Sequence, residues 1–167
     1  AMNRKYNTFE YYEIVQKLRS AFKDCAITTD IMVGFPDETD EDFRESLEFV
    51  KKVGFSKAHI FPYSKREGTI AAKRSGHLSK AVKDARAREM NEISEISQNI
   101  FLKSQIGEVC PVLFEAENCD KFHQGYTPNY TLVKIYSKNT DKSLRRKIFC
   151  VKIIGLENDY CIGEIII

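Results

Sequence analysis

The sequence predicts two folds in series: an α/β segment forming the C-terminal portion of a (β/α) barrel, and then a small, OB-like antiparallel β barrel. Three observations predict this. Residues 1–103 alternate helical and strand patterns. From Gly107 the texture changes to short apolar runs separated by Asn, Asp, Gly and Lys, the pattern of a small closed barrel. The first segment also offers only two strands. Strands joined through helices run parallel with both faces covered, and two such strands are too few for a sheet that stands alone.

The elements follow in order. Thr8 is placed to cap a helix over 9–23, with Tyr11, Val15, Leu18 and Phe22 at helical spacing. "AITTDIMVGF", Ala26–Phe35, is short and β-branched and reads as a buried strand. Thr39 and Asp42 form a variant capping box that opens a helix with Phe43, Leu47 and Val50 on one stripe, and Gly54 ends it. "SKAHIFPYS", Ser56–Ser64, is the second strand, with His59 packed inside it. After a loop over 65–78, Ser79 caps a long helix over 80–103, whose inner face should carry Val82, Ala85, Glu89 or Met90, Ile93, Ile96 and Ile100 or Phe101. Four apolar runs then make the second domain: "EVCPVLFEA", "NYTLVKIYS", "KIFCVKIIGL" and "YCIGEIII". The boundary is expected near 104–106, giving domains 1–104 and 105–167. An incomplete barrel should expose apolar surface and self-associate through it.

Composition narrows the function classes. The 167 residues are 43% hydrophobic and 30% charged. No apolar run reaches the ~18 residues of a membrane span, and no apolar signal core is present, so no membrane partner and a cytoplasmic location are expected. The five cysteines, Cys25, Cys110, Cys119, Cys150 and Cys161, are dispersed, as buried thiols are, and no metal site is expected. Residues 1–103 carry 18 Lys+Arg and 16 Asp+Glu, and residues 104–167 carry 8 and 8. Bulk charge therefore does not mark a nucleic-acid binder, and any RNA contact must come from local patches.

Chemistry is expected in the loops after the strands, where α/β barrels place their sites. "GFPDETDEDF", Gly34–Phe43, combines a glycine that permits close backbone approach, a stiff proline and a helix N-terminus. Its acids also simply complement the helix dipole. "FPYSKREGTIAA", Phe61–Ala72, places Tyr63, Ser64 and Arg66 just past a strand end, where an arginine can clamp a carboxylate or phosphate. It also fits an ordinary solvated loop.

Together the two loops carry a resemblance. "TTDIMVGFPDETDEDF", followed at this distance by "FPYSKREGTIAAK", closely resembles the C-terminal part of the radical S-adenosylmethionine barrel of methylthiotransferases, from about Met2 to Lys103. Residues 107–167 resemble the TRAM domain, the small β barrel that closes these enzymes. The family has three branches, acting on isopentenyladenosine in tRNA, threonylcarbamoyladenosine in tRNA, and a ribosomal-protein aspartate. "PYSKREGT" is similar to the threonylcarbamoyladenosine branch. The isopentenyladenosine branch usually has proline where this chain has Glu67, and Ile70 replaces a proline common after the threonine.

The resemblance implies S-adenosylmethionine and two [4Fe–4S] clusters in the full-length enzyme, with a C-x-x-x-C-x-x-C loop for the radical cluster. This chain has neither cysteine motif, so it is expected to be inactive alone, to hold neither cofactor, and to need the missing N-terminal part of the same protein. Carried over by position, Asp30, Met32, Gly34 and Phe35 border the cofactor's adenosine, with the acids after them mainly capping. Tyr63, Ser64 and Arg66 are assigned to its carboxylate or to substrate. The resemblance implies that the β barrel grips the tRNA anticodon arm. Its candidate contacts are Lys121, Phe122, Tyr126, Lys142, Arg145, Arg146 and Lys147, with His123, Tyr130 and Lys138 nearby. A stand-alone RNA- or protein-binding module without catalysis is the competing reading.

Overall fold

A computed structural model describes residues 5–118, 122–136 and 143–166. Its elements are α1 (Thr8–Ala21), β1 (Thr28–Val33), α2 (Asp40–Val53), β2 (Lys57–Pro62), a 3-10 turn (Ala71–Lys73), α3 (Lys80–Ser104), β3 (Val109–Asn118), β4 (Phe122–Tyr126), β5 (Leu132–Tyr136), β6 (Ile148–Glu157) and β7 (Tyr160–Ile165). The chain divides into two compact units. One contains the residues up to Lys23 and Ile27–Gln98, and the other contains Asp24–Ala26 and Asn99–Ile167.

In the first unit, β1 and β2 pair in parallel, from Thr28 opposite Lys57 to Val33 opposite Pro62. The helices cover one face of this pair. Val33 and the half-buried Ile31 and Ile60 pack with Val15 of α1, Phe43, Leu47 and Val50 of α2, and Met90 of α3. Burying each such side chain contributes about 1.5–3 kcal/mol. The other face is open: Thr28, Asp30, Lys57, His59 and Phe61 are exposed on it. Exposed apolar groups also appear on α1 and beside it, with Phe9 at 68% and Phe22 at 60%.

The helix ends are set by side-chain caps. At α1 the cap is Asn7, not Thr8, because the Asn7 side chain accepts the Glu10 N–H while Glu10 accepts the Asn7 N–H. Of the predicted α1 stripe, Val15 is buried, whereas Leu18 and Phe22 are exposed. At α2 the Thr39–Asp42 box forms as read, and Gly54 closes the helix at φ +61. In α3 the buried stripe is rotated from the predicted one. Arg86, Met90, Ser94 and Ser97 are buried, while Val82, Ile96 and Ile100 are exposed. Met90 and Ile93 pack into the first unit's core and Phe101 against the barrel core as predicted, but an arginine and two serines share the inner face, which an apolar count does not detect.

The second unit is a closed barrel in the order β3-β4-β5-β7-β6. It departs from the predicted all-antiparallel sheet at one seam. β6 crosses to pair with β3, β7 turns back along β6, and β7 therefore meets β5 in parallel. β4 lies outside the predicted strands, since "FHQGY" lacks a β-branched residue, yet it alternates outward and inward between β3 and β5. The core is Leu102 from the last turn of α3 with Val112, Phe114, Val133, Ile135, Leu144, Val151, Ile153 and Cys161. Burial pushes the Cys161 thiol up to about 11 and raises that of Cys110. Cys150 is exposed, against the expectation of a buried thiol, because it lies on the outward side of β6. Cys119 lies outside the described residues. No helix among the described residues is long and apolar enough to cross a membrane.

Candidate functional site

The parallel register brings the two sequence motifs together. Val33 sits opposite Pro62, so Gly34-Phe35 and Tyr63-Ser64 leave the sheet side by side. The Tyr63 N–H donates to the Val33 carbonyl at 2.8 Å and extends the pairing by one step. Gly34 adopts φ +70, a conformation that favours glycine, and a Cβ built there would overlap the Lys83 side chain. The Gly34 N–H donates to Glu38 Oε2 at 2.9 Å.

Aromatic groups line this rim. The Phe35 ring meets Tyr63 edge-on at 5.4 Å, and Tyr63 stacks on His77 at 5.9 Å. The Arg74 guanidinium lies 5.5 Å from the Phe35 ring centre and pairs with Asp37 at 3.1 Å. The Asp37 N–H donates to the Gly76 carbonyl at 2.8 Å, which ties the two loops together. Tyr63 is 7% exposed, and its buried hydroxyl has no hydrogen-bond partner. An orphaned buried hydroxyl costs about 1–3 kcal/mol and marks a position where a ligand or water would be held.

Below the rim lies the open face of the sheet. Asp30 stands opposite His59, and Met32 opposite Phe61. The expectation that His59 is packed is corrected: it is exposed, because Ala58 and Ile60 take the helix-covered side and alternation turns His59 and Phe61 the other way. The apolar run "AHIFP" concealed that alternation, and His59 and Phe61 join the candidate set for this reason. Ser64 and Arg66 are exposed beyond the strand end. The Arg66 carbonyl accepts the Thr69 hydroxyl at 2.8 Å, and its guanidinium has no hydrogen bond or ion pair among the described residues.

The acids divide their roles. Asp42 does cap: the Thr39 N–H and hydroxyl hold its carboxyl below the ordinary value. Glu38 and Asp40 instead receive Arg86 from α3, at 2.5 and 2.6 Å. Burial opposes the Arg86 charge, and hydrogen bonds to Asp40 and Glu38 outweigh it, so its pKa lies above the usual value. Lys83, one turn earlier, donates to the Tyr63 carbonyl at 3.0 Å. Sequence reasoning missed both residues. A signal was available in two cations three apart on a helix read as facing inward.

A sizeable groove lies elsewhere among the described residues. It has a volume of about 1020 Å³ and lies between α1 and α2, lined by Tyr6, Tyr11, Ile31, Phe49 and Phe55. It opens on the helix-covered side of β1. We place the site at the strand ends because the convergent polar groups and the orphaned hydroxyl are there.

In the barrel unit, one row runs across three strands: Tyr126 opposite Leu113, and Leu113 opposite Ile148. Leu113 is 41% and Ile148 65% exposed, so this row faces solvent. Tyr130, 83% exposed, lies 6.4 Å from Tyr126. Arg145, Arg146 and Lys147 precede Ile148 directly, and the Arg146 N–H donates to the Phe114 carbonyl at 2.7 Å. Tyr126 and the three cations thus share one part of the surface. Phe122 is at the far end of β4, with the Lys134 ammonium over its ring at 4.5 Å. His123 is buried. Lys121, Lys138 and Lys142 lie outside the described residues.

Among the described residues no three His, Cys, Asp or Glu side chains cluster as metal ligands. Cys25, Cys110, Cys150 and Cys161 form no group of three that could hold an iron–sulfur cluster among the described residues. At the strand ends, the half-buried Phe35 ring suits an adenine and the exposed Ser64 and Arg66 suit a carboxylate, whereas the space beside Gly34 is taken by Lys83.

The radical SAM superfamily model matches residues 1–50. Proteins named tRNA-2-methylthio-N(6)-dimethylallyladenosine synthase are similar to the chain over much of its length. That of Bartonella henselae is 44% identical over 115 residues, covering 69% of this chain and 25% of that protein. That of Rickettsia bellii is 37% identical over 168 residues, covering 99% and 37%. That of Geobacillus thermodenitrificans is 39% identical over 167 residues, covering 98% and 31%. The chain spans about a quarter to just over a third of the length of the curated relatives it matches. It is thus similar along nearly its whole length to part of these synthases, and over residues 1–50 to the radical SAM superfamily.

Proposed function

We propose that this chain is part of a radical S-adenosylmethionine enzyme that adds a methylthio group to C2 of an N6-modified adenosine in tRNA. The observation that carries the reading is the convergence of Gly34-Phe35 and Tyr63–Arg66 at the ends of adjacent parallel strands. Residues 1–104 would be the C-terminal part of a (β/α) barrel, completed by chain that the longer relatives possess and, in isolation, by self-association. Residues 105–167 would be a TRAM-type barrel. The reaction would take place where tRNA is found, in the cytoplasm.

When bound, S-adenosylmethionine supplies the radical chemistry of methylthio insertion. In this chain, Asp30, Met32, Gly34 and Phe35 would border its adenosine. Tyr63, Ser64 and Arg66 would meet its carboxylate or the substrate, with the Tyr63 hydroxyl gaining the partner it lacks. The two [4Fe–4S] clusters would be held outside this chain, so the chain alone is inactive. On the barrel, Tyr126 and Tyr130 would stack unpaired bases of the anticodon arm while Arg145, Arg146 and Lys147 contact phosphates. Lys121, Phe122 and Lys142 would extend that contact.

The N6 group has two readings, each with its own support. The relatives' names favour dimethylallyl, and Glu67, where that branch usually has proline, favours the polar threonylcarbamoyl group. Full-length protein, reconstituted and given tRNA of each kind, tests both the function and the branch. Nucleoside mass spectrometry should show methylthiolation of one tRNA kind. Absence of product on both would overturn the reading.

A further inference from the structure

We infer that Lys83 and Arg86, one helical turn of α3, are positioning residues that set the geometry of both strand-end loops. The inference rests on the function proposed above. Beyond the Tyr63–Val33 bond the loops have left the sheet, and α3 takes over their support. Lys83 acts on both. Its stem fills the space beside Gly34 where a Cβ would stand, and its ammonium donates to the Tyr63 carbonyl at 3.0 Å.

Arg86 fixes the first loop from the other side. Its guanidinium donates to the Glu38 carbonyl at 3.0 Å, to the Glu38 carboxylate and to Asp40, while its plane lies 5.2 Å from the Phe43 ring centre. The same Glu38 carboxylate accepts the Gly34 N–H, so the chain of contacts runs Arg86, Glu38, Gly34. Arg86 is 7% exposed. A buried ion pair adds little net stability compared with an apolar residue of the same size, and its better-attested use is to select one arrangement. Here the arrangement selected is the left-handed turn at Gly34 and the direction of Phe35 and Tyr63.

The test uses the full-length enzyme. Lys83→Met keeps the stem and removes the ammonium, and Arg86→Gln removes the bidentate clamp. Each should weaken S-adenosylmethionine binding about tenfold, the loss of one charge-assisted hydrogen bond. KM for tRNA and the melting temperature of Lys83→Met should stay at wild-type values, and Lys83→Arg should recover most of the affinity. If Arg86→Gln fails to fold, Lys83→Met decides alone. Wild-type cofactor affinity in Lys83→Met overturns this inference and leaves the proposed function standing. A wild type that binds no S-adenosylmethionine overturns both.

Discussion

Gly34→Ala tests the rim most sharply, because two separable costs meet at one residue. The first is conformational: φ +70 costs a non-glycine residue about 1–2 kcal/mol. The second is steric: the new methyl would overlap the Lys83 stem, and overpacking of this kind costs about 1–3 kcal/mol. The sum is about 2–5 kcal/mol of local stability. Gly68 is an internal control. It adopts φ +81 with nothing within 4 Å of an added Cβ, so Gly68→Ala should cost only the conformational part. Hydrogen exchange of the full-length protein reads both. Protection of the Tyr63 amide and its neighbours should fall by about 30-fold or more in Gly34→Ala, at roughly 1.4 kcal/mol per tenfold. Shortening Lys83 to alanine removes the overlap as well as the bond to the Tyr63 carbonyl, so it should cost less protection in Gly34→Ala than in the wild-type protein. If Gly34→Ala costs no more than Gly68→Ala, α3 does not pack against this turn.

Other outcomes follow from the same structure. Phe114→Ala should destabilise the barrel by about 3–5 kcal/mol, since the ring is fully buried among Val112, Val133 and Val151; a loss under about 1 kcal/mol in urea unfolding would contradict that core. Asp42 should titrate below the ordinary aspartate range of about 3.9 because Thr39 hydrogen-bonds its charged form. Its contribution to the α2 cap is therefore complete above that range and is lost as pH falls through the depressed value. NMR titration should show the midpoint moving up in Thr39→Ala. Replacing Arg145 and Arg146 with glutamate should weaken tRNA binding by the full-length protein and reduce its log–log salt slope by about 1–2, whereas unchanged affinity at low salt would remove the phosphate contacts.

What the sequence made legible depended on how each element announces itself. The Thr39–Asp42 cap and Gly54 could be read because capping chemistry is local. The parallel pairing of β1 and β2 followed from the intervening helix. Tertiary information was harder to read. The α3 inner face was legible at Met90, Ile93 and Phe101 but not at Arg86, Ser94 and Ser97, which are buried through polar partners or small size that an apolar count does not detect. β4 was obscured by its sequence, and the β5–β7 seam depends on which strand returns where. The rim itself was half legible. Gly34, Phe35 and Tyr63 stood out in their motifs, but the side to which His59 turns and the anchoring of both loops by Lys83 and Arg86 required the register and helix placement.

The proposed function places this chain in an enzyme that methylthiolates tRNA. It is tested most directly in the source organism by deleting the gene and measuring tRNA nucleosides by mass spectrometry. One 2-methylthio-adenosine species should disappear, the full-length gene should restore it, and a gene cut to these 167 residues should not. Retention of every 2-methylthio nucleoside in the deletion strain, or rescue by the 167-residue chain alone, would contradict it.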